Sequence, residues 1–122
     1  MYFYGRDKYN RPIFCVDVGK LQNLDPVPGE IEAATLPTIL FEYCRKYMFH
    51  KGSIENVVII IDCTDFAYSK VNLGPIKALL KVLSGQYKCI SRAVMVCNAP
   101  MAVNLVYNTL YYFLNYQLRR KI

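Results

Sequence analysis

The sequence predicts an α/β domain built on a mostly parallel β-sheet with flanking helices. Short β-branched runs alternate with stretches of helical spacing in the order β-α-β-α-β-α, the pattern of a parallel sheet joined by right-handed crossovers. The run Val57-Val58-Ile59-Ile60-Ile61 is apolar without interruption and reads as a strand buried on both faces. With 122 residues and 54% apolar content, the chain is long enough for one core and too short for two, so residues 1–122 are expected to form a single domain.

Each element has its own signal. After a polar turn at Asp7-Lys8-Tyr9-Asn10 and Arg11-Pro12, the β-formers Ile13 to Val18 make the first strand, which ends at Gly19. Tyr2-Phe3-Tyr4 reads as structured sequence rather than as a leader. A loop with Asn23, Pro26, Pro28 and Gly29 leads to Thr35-Leu36-Pro37, which can open a helix with proline in its first turn. Leu36, Ile39, Leu40, Tyr43, Cys44 and Tyr47 then recur at helical spacing as the face against the sheet, up to His50-Lys51-Gly52. A second helix spans residues 73 to 84, with Ile76, Leu79, Leu80 and Leu83 on one side. Ala93 to Cys97 is the third strand, and Asn98 can cap the helix after it.

The last helix, residues 100 to 116, differs from the others. Its apolar residues surround it instead of forming one stripe, so it needs two apolar partners: the sheet on one side and a ligand, a membrane or another chain on the other. A helix enclosed in a larger core would show the same pattern, but a chain this short has few elements left to enclose it.

Composition narrows the partners. A net charge of +6, scattered along the chain, suits nucleic acid and an anionic membrane surface equally. The five cysteines are odd in number and lack a C-x-x-C pair, which argues for reduced thiols and a cytoplasmic setting. No apolar stretch approaches the roughly 20 residues that span a bilayer. His50 is the single histidine, so a multi-histidine metal site is excluded, and no glycine-rich nucleotide loop occurs. His50 is expected near a helix C-terminus, where it complements the dipole.

Three segments resemble the CRAL-TRIO family of lipid-binding domains. Gly5-Arg6-Asp7-Lys8-Tyr9-Asn10-Arg11-Pro12-Ile13 resembles the family's D-x-x-G-R-P-V opening, with Asn10 in place of Gly. Val58 to Asp62 matches an apolar strand closed by Asp, and Tyr87 through Asn98-Ala99-Pro100 resembles the tyrosine, strand and N-A-P sequence that leads into a lipid-gating helix. The resemblance implies a non-enzymatic domain that binds, and exchanges at membranes, a phospholipid or other hydrophobic molecule, held between the sheet and the helix after Pro100. It implies a lipid site formed by Met101, Val103, Val106, Tyr107, Leu110 and Phe113 with Ala67, Ser69 and Tyr87. Lys88, Arg119, Arg120 and Lys121 would meet a headgroup or membrane phosphates. No cofactor beyond the lipid and no nucleic acid is implied, and the location is cytoplasmic, peripheral to membranes.

The departures carry information too. Where phosphatidylinositol carriers of the family have P-E-R after the tyrosine, this chain has Lys88, Cys89 and Ile90, and the threonine expected at 118 is Leu118. The family's preceding helical module and its last strand and helix are expected outside this stretch, leaving a sheet edge and an apolar helix that favour homodimerisation.

Other readings of single motifs remain. Asp62-Cys63-Thr64-Asp65 follows a strand as an aspartyl nucleophile would, but a turn and capping role accounts for it, because position 64 lacks the second acid. Arg119-Arg120-Lys121 equally complements a helix C-terminus. Strand Val57 to Asp62, loop Thr64-Asp65-Phe66 and helix 73 to 84 also resemble the STAS family of regulatory interaction domains, with Ser69 as a phosphosite.

Overall fold

The computed structural model describes residues 1–22, 30–64, 74–85, 87, 90–101 and 108. The elements are β1 (Tyr2–Arg6), β2 (Pro12–Asp17), α1 (Val18–Gln22), α2 (Glu30–Tyr43), a π-helical turn (Cys44–Met48), β3 (Val57–Asp62), α3 (Gly74–Ser84) and β4 (Ser91–Cys97). Among the described residues, four strands form one sheet in the order β1-β2-β3-β4. β1 is antiparallel to β2, whereas β2-β3 and β3-β4 are parallel. This is the expected α/β architecture with a mostly parallel sheet.

The hairpin β1-β2 is built by Asp7. Its carboxylate accepts the backbone N–H groups of Tyr9 at 2.9 Å and Arg11 at 2.8 Å, which closes the turn. Asn10, standing where the resembling family has glycine, has φ 64, a left-handed position that asparagine tolerates better than most residues. Gly5, at φ 63, lies within the register irregularity between Phe3 and Arg6, so β1 bends as it pairs. Arg6 then donates to the Met48 carbonyl at 2.8 Å and ties the hairpin to the π-helical turn.

One face of the sheet carries the core. Phe14, Val16, Val57, Ile59 and Val94 pack with Phe41 and Cys44 of the second helical segment and with Leu79, Leu80 and Leu83 of α3. Phe14 anchors this layer, with ring centroids 5.1 Å from Phe3 and 5.0 Å from Phe41. Both crossover helices therefore cover the same face.

Several boundaries differ from the sequence reading. The strand read as the first and placed at Ile13 to Val18 is the second, preceded by β1 (Tyr2–Arg6), and it spans Pro12–Asp17, with Val18 opening α1 instead of closing the strand. α2 starts at Glu30, so Pro37 lies inside the helix, where its fully buried ring offsets the hydrogen bond that proline cannot donate. From Thr35 on, the buried stripe of α2 and the π-helical turn is Pro37, Phe41 and Cys44, which leaves Leu36, Ile39, Tyr43 and Tyr47 exposed rather than against the sheet. Both stripes have helical spacing, and the Phe41 ring against Phe14 sets the phase. β3 is buried at Val57, Val58 and Ile59 but only half-buried at Ile60 and Ile61, so it is less enclosed than a continuous apolar run suggests. His50 lies beyond the helical segment, exchanging backbone hydrogen bonds with Ile54 across a tight loop in which Gly52 has φ 84. α3 ends at Ser84 as the spacing predicts.

Candidate functional site

Side chains alternate across a strand, so a sheet whose one face is packed by helices presents a second set on the other. Here that set is apolar over two rows. The register places Ile13 beside Val58 and Val58 beside Ala93, then Cys15 beside Ile60 and Ile60 beside Met95. Val58 is 9% exposed and Met95 52%, while Ile13, Cys15, Ile60 and Ala93 are half-buried. This second face is less covered than the helix-packed one.

The third row, Asp17, Asp62 and Cys97, is polar and lies at the C-terminal ends of the parallel strands. Asp62 is the hub. Its Oδ1 accepts the Thr64 backbone N–H at 2.9 Å, the Thr64 hydroxyl at 2.6 Å and the Asn98 amide at 3.0 Å. Asn98 Nδ2 also reaches Thr64 Oγ1 at 2.9 Å. Donation by Thr64, and then by Asn98, holds the Asp62 carboxyl below its ordinary value. Asp62 and Thr64 thus form the turn that the sequence suggested. Asn98 has φ 54 and spends its amide on the β3 end. Asp17 accepts the Lys20 backbone N–H at 3.1 Å and pairs with its ammonium at 3.6 Å.

Two buried thiols are poor nucleophiles. Burial, then the neighbouring Asp62 and Cys97, pushes the Cys63 thiol up, and burial takes Cys44 to about 12 against the opposing Arg6 charge. Among the described residues no group of three or more His, Cys, Asp and Glu could hold a metal ion. Among them, too, no helix is long and apolar enough to cross a membrane. This face is thus apolar over two rows and polar at the strand ends.

Of the residues implicated by sequence, Met101 is almost fully exposed just beyond the Asn98 latch. Tyr87 stands on the helix-packed side, its ring 5.5 Å from Phe41 and its hydroxyl donating to Glu42 Oε1 at 2.5 Å. Burial and that hydrogen bond push the Tyr87 phenol up to about 12. Ala67, Ser69, Lys88, Val103, Val106, Tyr107, Leu110, Phe113, Arg119, Arg120 and Lys121 lie outside the described residues. Sequence reasoning did not single out Cys15, Ile60 and Met95. The period-two alternation of the strands was the signal for them, once the helix-packed face was fixed by Phe14 and Ile59.

The family model of the CRAL/TRIO domain matches residues 1–122. A CRAL-TRIO domain-containing protein of Schizosaccharomyces pombe is 29% identical over 96 residues, which are 77% of this chain and 20% of that protein. The chain therefore spans about a fifth of the length of this curated relative.

Proposed function

This chain belongs to the CRAL/TRIO domain family, whose general property is binding of lipophilic molecules, and on that premise we propose that its less covered sheet face is the floor of a lipid site. The observation that carries the reading is the two-faced sheet. One face is closed by Phe41 and by Leu79 and Leu83 of α3, while the other presents Ile60 and the half-exposed Met95 above a polar end at Asp62 and Asn98.

In this reading an acyl or isoprenoid tail lies along the rows Ile13-Val58-Ala93 and Cys15-Ile60-Met95. Each methylene removed from water contributes about 0.8 kcal/mol. The segment after Asn98-Ala99-Pro100 supplies the cover, with Met101, Val103, Val106, Tyr107, Leu110 and Phe113 turned to the ligand. Arg119, Arg120 and Lys121 meet membrane phosphates when the site exchanges its content. The work is binding and transfer at the cytoplasmic side of a membrane, without covalent chemistry. Mass spectrometry of lipid extracted from the full-length protein tests it. A stoichiometric lipid supports the reading, and its absence together with failure to bind any member of a lipid panel overturns it.

A further inference from the structure

A cleft lies at the N-terminal ends of the parallel strands β3 and β4. The π-helical turn contributes Arg45 and Lys46, the following loop contributes Phe49, Lys51 and Glu55, and the approach to β4 contributes Tyr87 and Ile90. These residues surround a cleft of about 570 Å³ beside the N-terminal ends of β3 and β4, remote from the polar row at Asp62.

The charges of the cleft are unbalanced. Three cations face one carboxylate, and that carboxylate, of Glu55, is turned onto the loop's own Gly52 N–H at 3.2 Å. Arg45 has Glu42 at 3.6 Å, but the same Glu42 oxygen also accepts the Tyr87 hydroxyl. Lys46 lies over the Tyr47 ring at 5.3 Å, and Lys51 has no hydrogen bond or ion pair among the described residues. Like charges gathered in a concave wall repel one another until an anion enters. Beneath them Tyr87 and Ile90 are each 5% exposed, so the floor is aromatic and aliphatic. π-Helical turns are rare and recur at functional sites, and this one carries two of the three cations.

We propose that this cleft binds a phosphomonoester on a small carbon skeleton, with Arg45, Lys46 and Lys51 as its phosphate ligands. Three cations outnumber the carboxylates of Glu55 in the lining and of Glu42 beside Arg45, and the guanidinium fork of Arg45 suits paired phosphate oxygens. The phenyl and aliphatic floor takes the carbon skeleton that carries the phosphate. This site shares no lining residue with the sheet face assigned above to a lipid. The phosphate comes either free in solution or as a headgroup at a membrane surface.

Two probes separate the sources: glycerol 3-phosphate by calorimetry, and sedimentation with phosphatidylcholine vesicles with and without phosphatidic acid. The full-length protein is compared with Arg45→Gln/Lys51→Gln and with Lys8→Gln/Lys77→Gln, an equal charge loss at exposed residues outside the cleft. The proposal expects at least one probe to bind, with affinity lowered about tenfold or more by the cleft pair and unchanged by the other pair. Binding of glycerol 3-phosphate assigns a soluble ligand, and binding of phosphatidic acid vesicles alone assigns a headgroup. Amide shift changes confined to residues 45–55 and to Tyr87 and Ile90 on adding glycerol 3-phosphate to the unmodified protein support the site without relying on a variant. The proposal is overturned if neither probe binds, or if both pairs weaken binding equally.

Discussion

The Asn98 side-chain amide donates to the Asp62 carboxylate at 3.0 Å, so the segment leaving β4 is latched to the end of β3. The latch works through the ionised carboxylate, which Thr64 and Asn98 together hold below its ordinary pKa. Its contribution to stability is therefore present above the usual carboxylate value of about 4 and is lost as pH falls through the lowered folded value. Asn98→Gly, which keeps the left-handed backbone at φ 54 available, removes the amide and moves the Asp62 pKa back toward normal. Carboxyl-carbon NMR titration reads this shift, and an unchanged Asp62 pKa in the variant contradicts the latch.

At the other end, the Tyr87 hydroxyl bridges to Glu42 on α2. Because burial and this hydrogen bond raise the phenol to about 12, the folded state holds the proton more tightly than the unfolded chain does. Tyr87 thus contributes stability that is complete below its ordinary value of about 10 and declines as pH rises toward 12. Tyr87→Phe should cost about 1 kcal/mol at neutral pH and flatten the alkaline decline. Urea denaturation between neutral pH and the alkaline limit, on both proteins, checks the pair.

The phase of α2 is testable by contrast. Phe41 is fully buried between Phe14 and Tyr87, whereas Ile39 is 58% exposed. Phe41→Ala should cost roughly 3–5 kcal/mol, and Ile39→Ala should stay within about 0.5 kcal/mol. Comparable losses in thermal denaturation would put the helix on its other stripe.

This contrast also marks where the sequence was legible. The strand run at Val57, the end of α3 at Ser84 and the Asp7-to-Pro12 turn follow from local chemistry, because β-branching, helical spacing and an aspartate that caps a turn act within a few residues. β1 and the phase of α2 depend on distant partners. Tyr2 to Arg6 becomes a strand because β2 offers it an edge and Gly5 lets it bend, and α2 turns Phe41 inward because Phe14 waits there. The same holds for the site. Tyr87, Asn98 and Pro100 stood out by motif, while Cys15, Ile60 and Met95 became a surface only through the register of three strands. The cleft of Arg45, Lys46 and Lys51 depends on a π-helical turn that no simple periodicity announces.

The most direct test of the lipid floor is equilibrium binding of a fluorescent phospholipid to the unmodified protein, to Met95→Glu and to Ile39→Glu. Both replaced side chains are more than half exposed, so both variants should fold, but only Met95 lies on the face assigned to the ligand. The account predicts saturable binding that Met95→Glu weakens by about tenfold or more and Ile39→Glu leaves unchanged. Equal affinity in all three, or a loss confined to Ile39→Glu, would contradict it.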